Sequence, residues 1–151
     1  MSIISRRDYS KRIEFNKIVS EIMEKKQVLV DYWIKSSEYD YEAAADLMKS
    51  GKYAHALFFG HLSVEKMLKA HFINIREEYP PKTHNLLMLI KSLNIDFPGS
   101  MSDDLIVINT FNIEARYPDE KFEFYQRCTS DFANKYIKAI EEILEWLKKK
   151  L

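Results

Sequence analysis

The chain is short of every residue type that builds loops, cross-links or a field of one sign. It holds one cysteine, Cys128, in 151 residues. A lone thiol excludes an intrachain disulfide and a cysteine cluster for zinc, and it suits a reducing compartment. Glycine occurs three times and proline four, and all but Gly60 and Pro118 gather at Gly51, Pro80-Pro81 and Pro98-Gly99. So sparse a supply leaves no glycine-rich phosphate loop and no G-x-S-x-G nucleophile elbow. Lys plus Arg equals Asp plus Glu at 23 each, so no net field draws the protein to nucleic acid or to an anionic membrane. A local basic patch remains compatible with that balance. No apolar run approaches the ~20 residues that span a bilayer. Ile3 and Ile4 lead within a few residues to Arg6, Arg7 and Asp8, which is not the apolar core of a signal peptide. The reading is a cytoplasmic protein with no membrane partner.

What is present is apolar and charged in helical rhythm. Apolar residues make up 46% and charged residues 30%, in a chain long enough for one domain that buries about two thirds of its unfolded surface. Between the glycine and proline breaks the apolar period is close to 3.6, with no sustained alternation. The spacing predicts helices over about 11–26, 28–49, 53–78, 84–92, 100–116 and 120–149. Residues 25–27 contain no breaker, so the first two are either separate helices or one rod. The expected fold is all-α, an up-and-down helical bundle of five to six helices. Residues 1–27 form an N-terminal helical extension and residues 28–151 the bundle. Ser50-Gly51 should stop the second helix, Thr83 should cap the fourth with His84 in its first turn, and Cys128 should lie in the core within the last helix. Gly60, beside Ala56, Ser63 and Ala70, should let another helix approach closely.

Several polar residues interrupt these apolar faces. His61 and Glu65 stand four apart on one helix face. They could be an imidazole oriented by a carboxylate, half of a metal site, or a buried histidine satisfied by its neighbour. His55, His71 and His84 fall at no ligand spacing, so no metal and no cofactor is expected. Glu65, Lys66 and Lys69 could hold an anion or a partner's charges, or form a solvated face. Asn109, Asn112 and Arg116 make a polar stripe that ends on an arginine, whose planar fork suits phosphate or carboxylate; the alternative is a frayed helix end. Tyr117 and Asp119 flank Pro118 beside that arginine and make it the strongest functional candidate. A phenol there could stack on a base or take a modification.

Three segments together resemble the HEPN family of small helical domains. His61, Glu65, Lys66, Lys69 and Ala70 match its His-x-x-x-Glu-Lys-x-x-Lys-Ala pattern; Pro81, Lys82, Thr83 and His84 match its Pro-Lys-Thr-His turn; Arg116, Tyr117 and Pro118 match Arg-Tyr-Pro. Ala45-Asp46-Leu47 and Gly51-x-Tyr53-x-x-Ala56 also have the family's form. The resemblance implies a homodimer and a nucleotidyltransferase-type partner encoded nearby, in a toxin–antitoxin-like pair. Catalytic members are metal-independent endoribonucleases with an arginine followed after four to six residues by a histidine. In this chain the matching offsets from Arg116 hold Lys121, Phe122 and Glu123, so whether the protein is an enzyme stays open. The expectation is a non-catalytic module that binds a nucleotide, RNA or partner through Arg116, Tyr117, Asp119, Asn109, Asn112, His61, Glu65 and Lys66. The alternatives are an endoribonuclease with an atypical site, such as Arg116 brought close to His61, and a purely structural dimerisation domain.

Overall fold

A computed structural model of the chain describes residues 5–117 and 123–151, and the described residues form six α-helices and no strand. Helix α1 is a single 44-residue rod, Arg6–Lys49, which decides between the two readings of the N-terminal half. Its first turn is capped by Ser5, whose hydroxyl accepts from the Asp8 amide. It stops at Ser50-Gly51, where Gly51 takes a left-handed φ of 73° and turns the chain back. Helix α2 (Tyr53–Arg76) returns along α1 and ends at Glu77, itself left-handed at φ 57°.

The α2–α3 connection departs from expectation by two residues. Thr83 does not cap the helix; its hydroxyl accepts the Asn85 amide, and Asn85 caps α3 (Leu86–Leu93) through the Leu87 and Met88 amides. His84 therefore lies in the loop ahead of α3. Helix α4 spans Gly99–Arg116. The expected final helix over 120–149 is instead α5 (Glu123–Arg127) and α6 (Ser130–Lys149), while residues 120–122 lie outside the described ones. Thr129 makes the break: its hydroxyl accepts the Phe132 amide and starts α6 afresh, leaving Cys128 buried between helices rather than inside one.

Helix α2 is the axis of the bundle and packs against α1, α3, α4, α5 and α6. Leu57, Val64 and Leu68 are wholly buried on it, and each such side chain is worth about 1.5–3 kcal/mol relative to exposure. Phe111 of α4 is also fully buried, ringed by Phe124, Phe132 and Tyr136 with centroids 5.5–6.1 Å away. Gly60 is the point of closest approach to α6: a Cβ there would stand 2.6 Å from Ile140 Cδ1. At Gly60 the expected close approach is therefore met.

Candidate functional site

Helix α2 is covered on most sides in the bundle, so most of the polar residues along its middle are forced inside. His61, Ser63, Glu65, Lys69 and His71 are all buried. A buried charge is tolerated only when paired, and the pairs are present. Lys69 Nζ donates to Glu65 Oε1 at 2.8 Å and stands 5.4 Å from the Trp33 ring centroid. Lys66 Nζ lies 2.6 Å from Asp40 Oδ2 on α1. The reading of Glu65, Lys66 and Lys69 as a solvated face is thus corrected: they tie α2 internally and to α1. His71 Nε2 lies 2.8 Å from the Leu147 carbonyl, which can only accept, so the ring donates and joins α2 to α6.

Glu65 does more than pair with lysine. Its carboxylate also meets His84 of the α2–α3 loop, with Nδ1 3.2 and 3.1 Å from the two oxygens. A carboxylate accepts only, so Nδ1 carries the proton and Nε2 is the nitrogen left for other chemistry. The His84 side chain is 53% exposed against 4% for Glu65. An accessible imidazole is thus fixed by a buried anion.

His61 is the opposite case. It is fully buried, its Nδ1 stands 3.9 Å from Glu65, and neither ring nitrogen has a hydrogen-bond partner among the described residues. Of the readings open for His61, a buried histidine hydrogen-bonded by Glu65 gives way to one in electrostatic contact with it. Burial first of all lowers its pKa to about 4; Glu65 and the His84 main chain pull upward, and the charges of His84 and Arg116 push further down. His61 is neutral at physiological pH and fully buried.

That influence of both His84 and Arg116 on His61 joins three elements: α2, the α2–α3 loop and the C-terminal end of α4. Arg116 is exposed and sits 5.2 Å over the Phe58 ring, and no carboxylate among the described residues pairs with it. Tyr117 beside it is 75% exposed. One turn back, Asn112 is buried and its Oδ1 has no partner among the described residues. Asn109 is otherwise engaged: its Oδ1 accepts the Leu86 amide at 2.7 Å and its Nδ2 donates to Asn85, which anchors α3 on α4. Asp119 lies outside the described residues. Sequence spacing could not find the Glu65–His84 contact across 19 residues, nor Phe58 under Arg116. The available signal was Glu65 itself, a carboxylate flanked on its helix by Val64 and Leu68.

An all-helical bundle with a buried carboxylate on its central helix, a loop histidine and, at a helix end, an arginine with no carboxylate partner among the described residues defines the class of the protein. The family model described as the HEPN domain matches residues 30–151, and the chain belongs to the HEPN family. Among solved structures it is similar to TT1696 from Thermus thermophilus, with a TM-score of 0.71 and 21% identity over 81% of this chain and 98% of that one. It is also similar to ST0689, an archaeal HEPN homologue, with a TM-score of 0.64 and 25% identity over 80% and 96%. No curated protein matches the chain. No described helix is long and apolar enough to cross a membrane, and no three described His, Cys, Asp or Glu side chains gather as a metal requires.

Proposed function

We propose that this HEPN chain is a non-catalytic binding module. It holds the phosphate of a nucleotide or RNA at Arg116, with Tyr117 as a stacking surface and Asn112 behind them. It acts as a homodimer beside a nucleotidyltransferase-type protein in a toxin–antitoxin-like pair. The observation that supports this most is the state of Arg116. It is an exposed guanidinium held over an aromatic ring, with no carboxylate among the described residues to neutralise it. Such a group presents a preformed fork to an anion, and charge-assisted bidentate bonds to phosphate are among the strong ones. Asn109, Glu65 and Lys66 are engaged in holding helices together. Arg116→Ala should abolish nucleotide binding while the melting temperature stays within about 2 °C, as for surface substitutions worth less than ~0.5 kcal/mol. A large stability loss would make Arg116 structural instead.

One observation favours a second reading, a metal-independent endoribonuclease. His84 has the geometry that His61 lacks, with Nδ1 on the Glu65 carboxylate and Nε2 open to take a proton from a ribose hydroxyl. RNA cleavage lost in His84→Ala and retained in His61→Gln would establish it.

A further inference from the structure

The N-terminal part of α1 has no partner among the described residues. Residues 5–25 are exposed without exception, and the first contact with α2 is marked by Lys26, 3.1 Å from Glu77 at the end of that helix. The free arm is therefore about 30 Å long at 1.5 Å per residue, and it lies outside the residues that match the family. An isolated helix of this length is marginal in water unless an amphipathic face is packed.

The arm has such a face. Phe15, Val19, Ile22 and Met23 continue, at steps of three and four, the line Lys26, Val30, Trp33 and Ser37 by which α1 lies on α2. Where the bundle begins, that line is covered: Val30 packs with Ala70 and Ile73. On the arm it is open, with Phe15 65%, Ile22 59% and Met23 63% exposed. A second helix laid on it would continue the path of α2. Packing two such faces removes on the order of 1,000 Å² from water, the size at which specific interfaces begin.

Charge selects the occupant and its direction. The tip carries Arg6, Arg7, Lys11 and Arg12 against Asp8 alone, while the following turns of the arm carry Glu14, Glu21 and Glu24 against Lys17 and Lys25, and the end of α2 adds Glu77 and Glu78. A parallel pair would set the basic tips against each other. An antiparallel pair sets the basic tip of one arm against the acidic turns of the other. If the partner's arm stops where α2 ends, Phe15 of one chain meets Val19 of the other. Its Arg6, Arg7 and Asp8 then fall beside Lys26, Glu77 and Glu78, over a notch of about 190 Å³ lined by Ile22, Leu29 and Ile73. We infer that the arm is a self-association device in which two copies of this chain pair antiparallel through Phe15, Val19 and Ile22. This pairing names a surface for the homodimer proposed above and rests on that part of the reading, while it stands independently of the Arg116 site.

The test is the sedimentation mass of the full chain, wild type beside a Phe15→Glu/Ile22→Glu variant, over a range of concentrations. The double substitution should weaken association about 100-fold, as expected for central apolar positions. At a fixed micromolar concentration it should halve the mass while leaving the bundle's melting transition in place. Orientation is read by oxidising mixed Phe15→Cys and Val19→Cys chains: the antiparallel pair gives the mixed disulfide faster than either chain gives its own. An unchanged mass overturns the proposal, as does preferential self-linking of Phe15→Cys, which marks a parallel pair. A wild-type monomer whose arm binds phosphatidylglycerol vesicles instead would also overturn it.

Discussion

Replacing Glu65 with alanine should be among the most damaging single changes in this protein. The carboxylate is 3% exposed and receives Lys69 at 2.8 Å and His84 at 3.1 Å. Without it, an ammonium that is itself 8% exposed has no anion beside it, and the loop carrying His84 loses its anchor. Removing one partner of a buried pair costs about 3–5 kcal/mol. For a domain of this length each kcal/mol lowers the midpoint by roughly 2–4 °C, so a fall of roughly 10 °C is expected. Thermal and urea unfolding followed by circular dichroism at 222 nm would measure it. The reasoning also fixes the cure: adding Lys69→Met removes the stranded charge and fills the space with an apolar chain, so the double variant should regain most of the loss. A loss in Glu65→Ala below about 1 kcal/mol, the range of an exposed ion pair, would refute the reasoning. So would a double variant no better than the single one.

Two further outcomes follow from the same burial. His61 titrates at about 4 in the folded chain against an ordinary 6.5, so the unfolded state takes its proton first as the pH falls. Its stabilising effect is complete above pH 6.5 and is lost on the way down to pH 4, by up to about 3 kcal/mol. The pH profile of His61→Gln should be flatter than wild type over that window, and parallel profiles would count against a buried neutral imidazole. Burial also raises the Cys128 thiol to about 11. At pH 8 it should react with an aromatic disulfide reagent only as fast as the protein opens, and immediate stoichiometric labelling would show it accessible.

The helices were legible because glycine and proline are so few that nearly every one marks a boundary. Gly51 ended α1 where the period predicted, and Pro80-Pro81 lie just beyond the end of α2, which stops at Arg76, two residues before the expected end. Boundaries set by a side chain were harder. Thr83 and Asn85 are both good caps two residues apart; Asn85 starts α3 by accepting the Leu87 and Met88 amides, and the tertiary bond from the Leu86 amide to Asn109 holds that turn in place. Thr129 breaks the last apolar stretch although the hydrophobic spacing runs straight through it. The candidate site was legible as a set of residue types and not as a set of contacts. Glu65 and Lys69 were visible at i and i+4, yet whether that face met water or protein depended on how completely the neighbouring helices surround α2. The roles of His61 and His84 follow from this: the helix position is sealed, and the loop position is open.

The measurement that bears most directly on the account is the binding of a labelled nucleotide and a short RNA to the purified protein. Wild type would be compared with Arg116→Ala, with RNA integrity read from the same samples. The account predicts saturable binding that weakens with salt, disappears in the variant and leaves the RNA intact. Binding that survives in Arg116→Ala, or RNA cut by the wild-type protein, would contradict it.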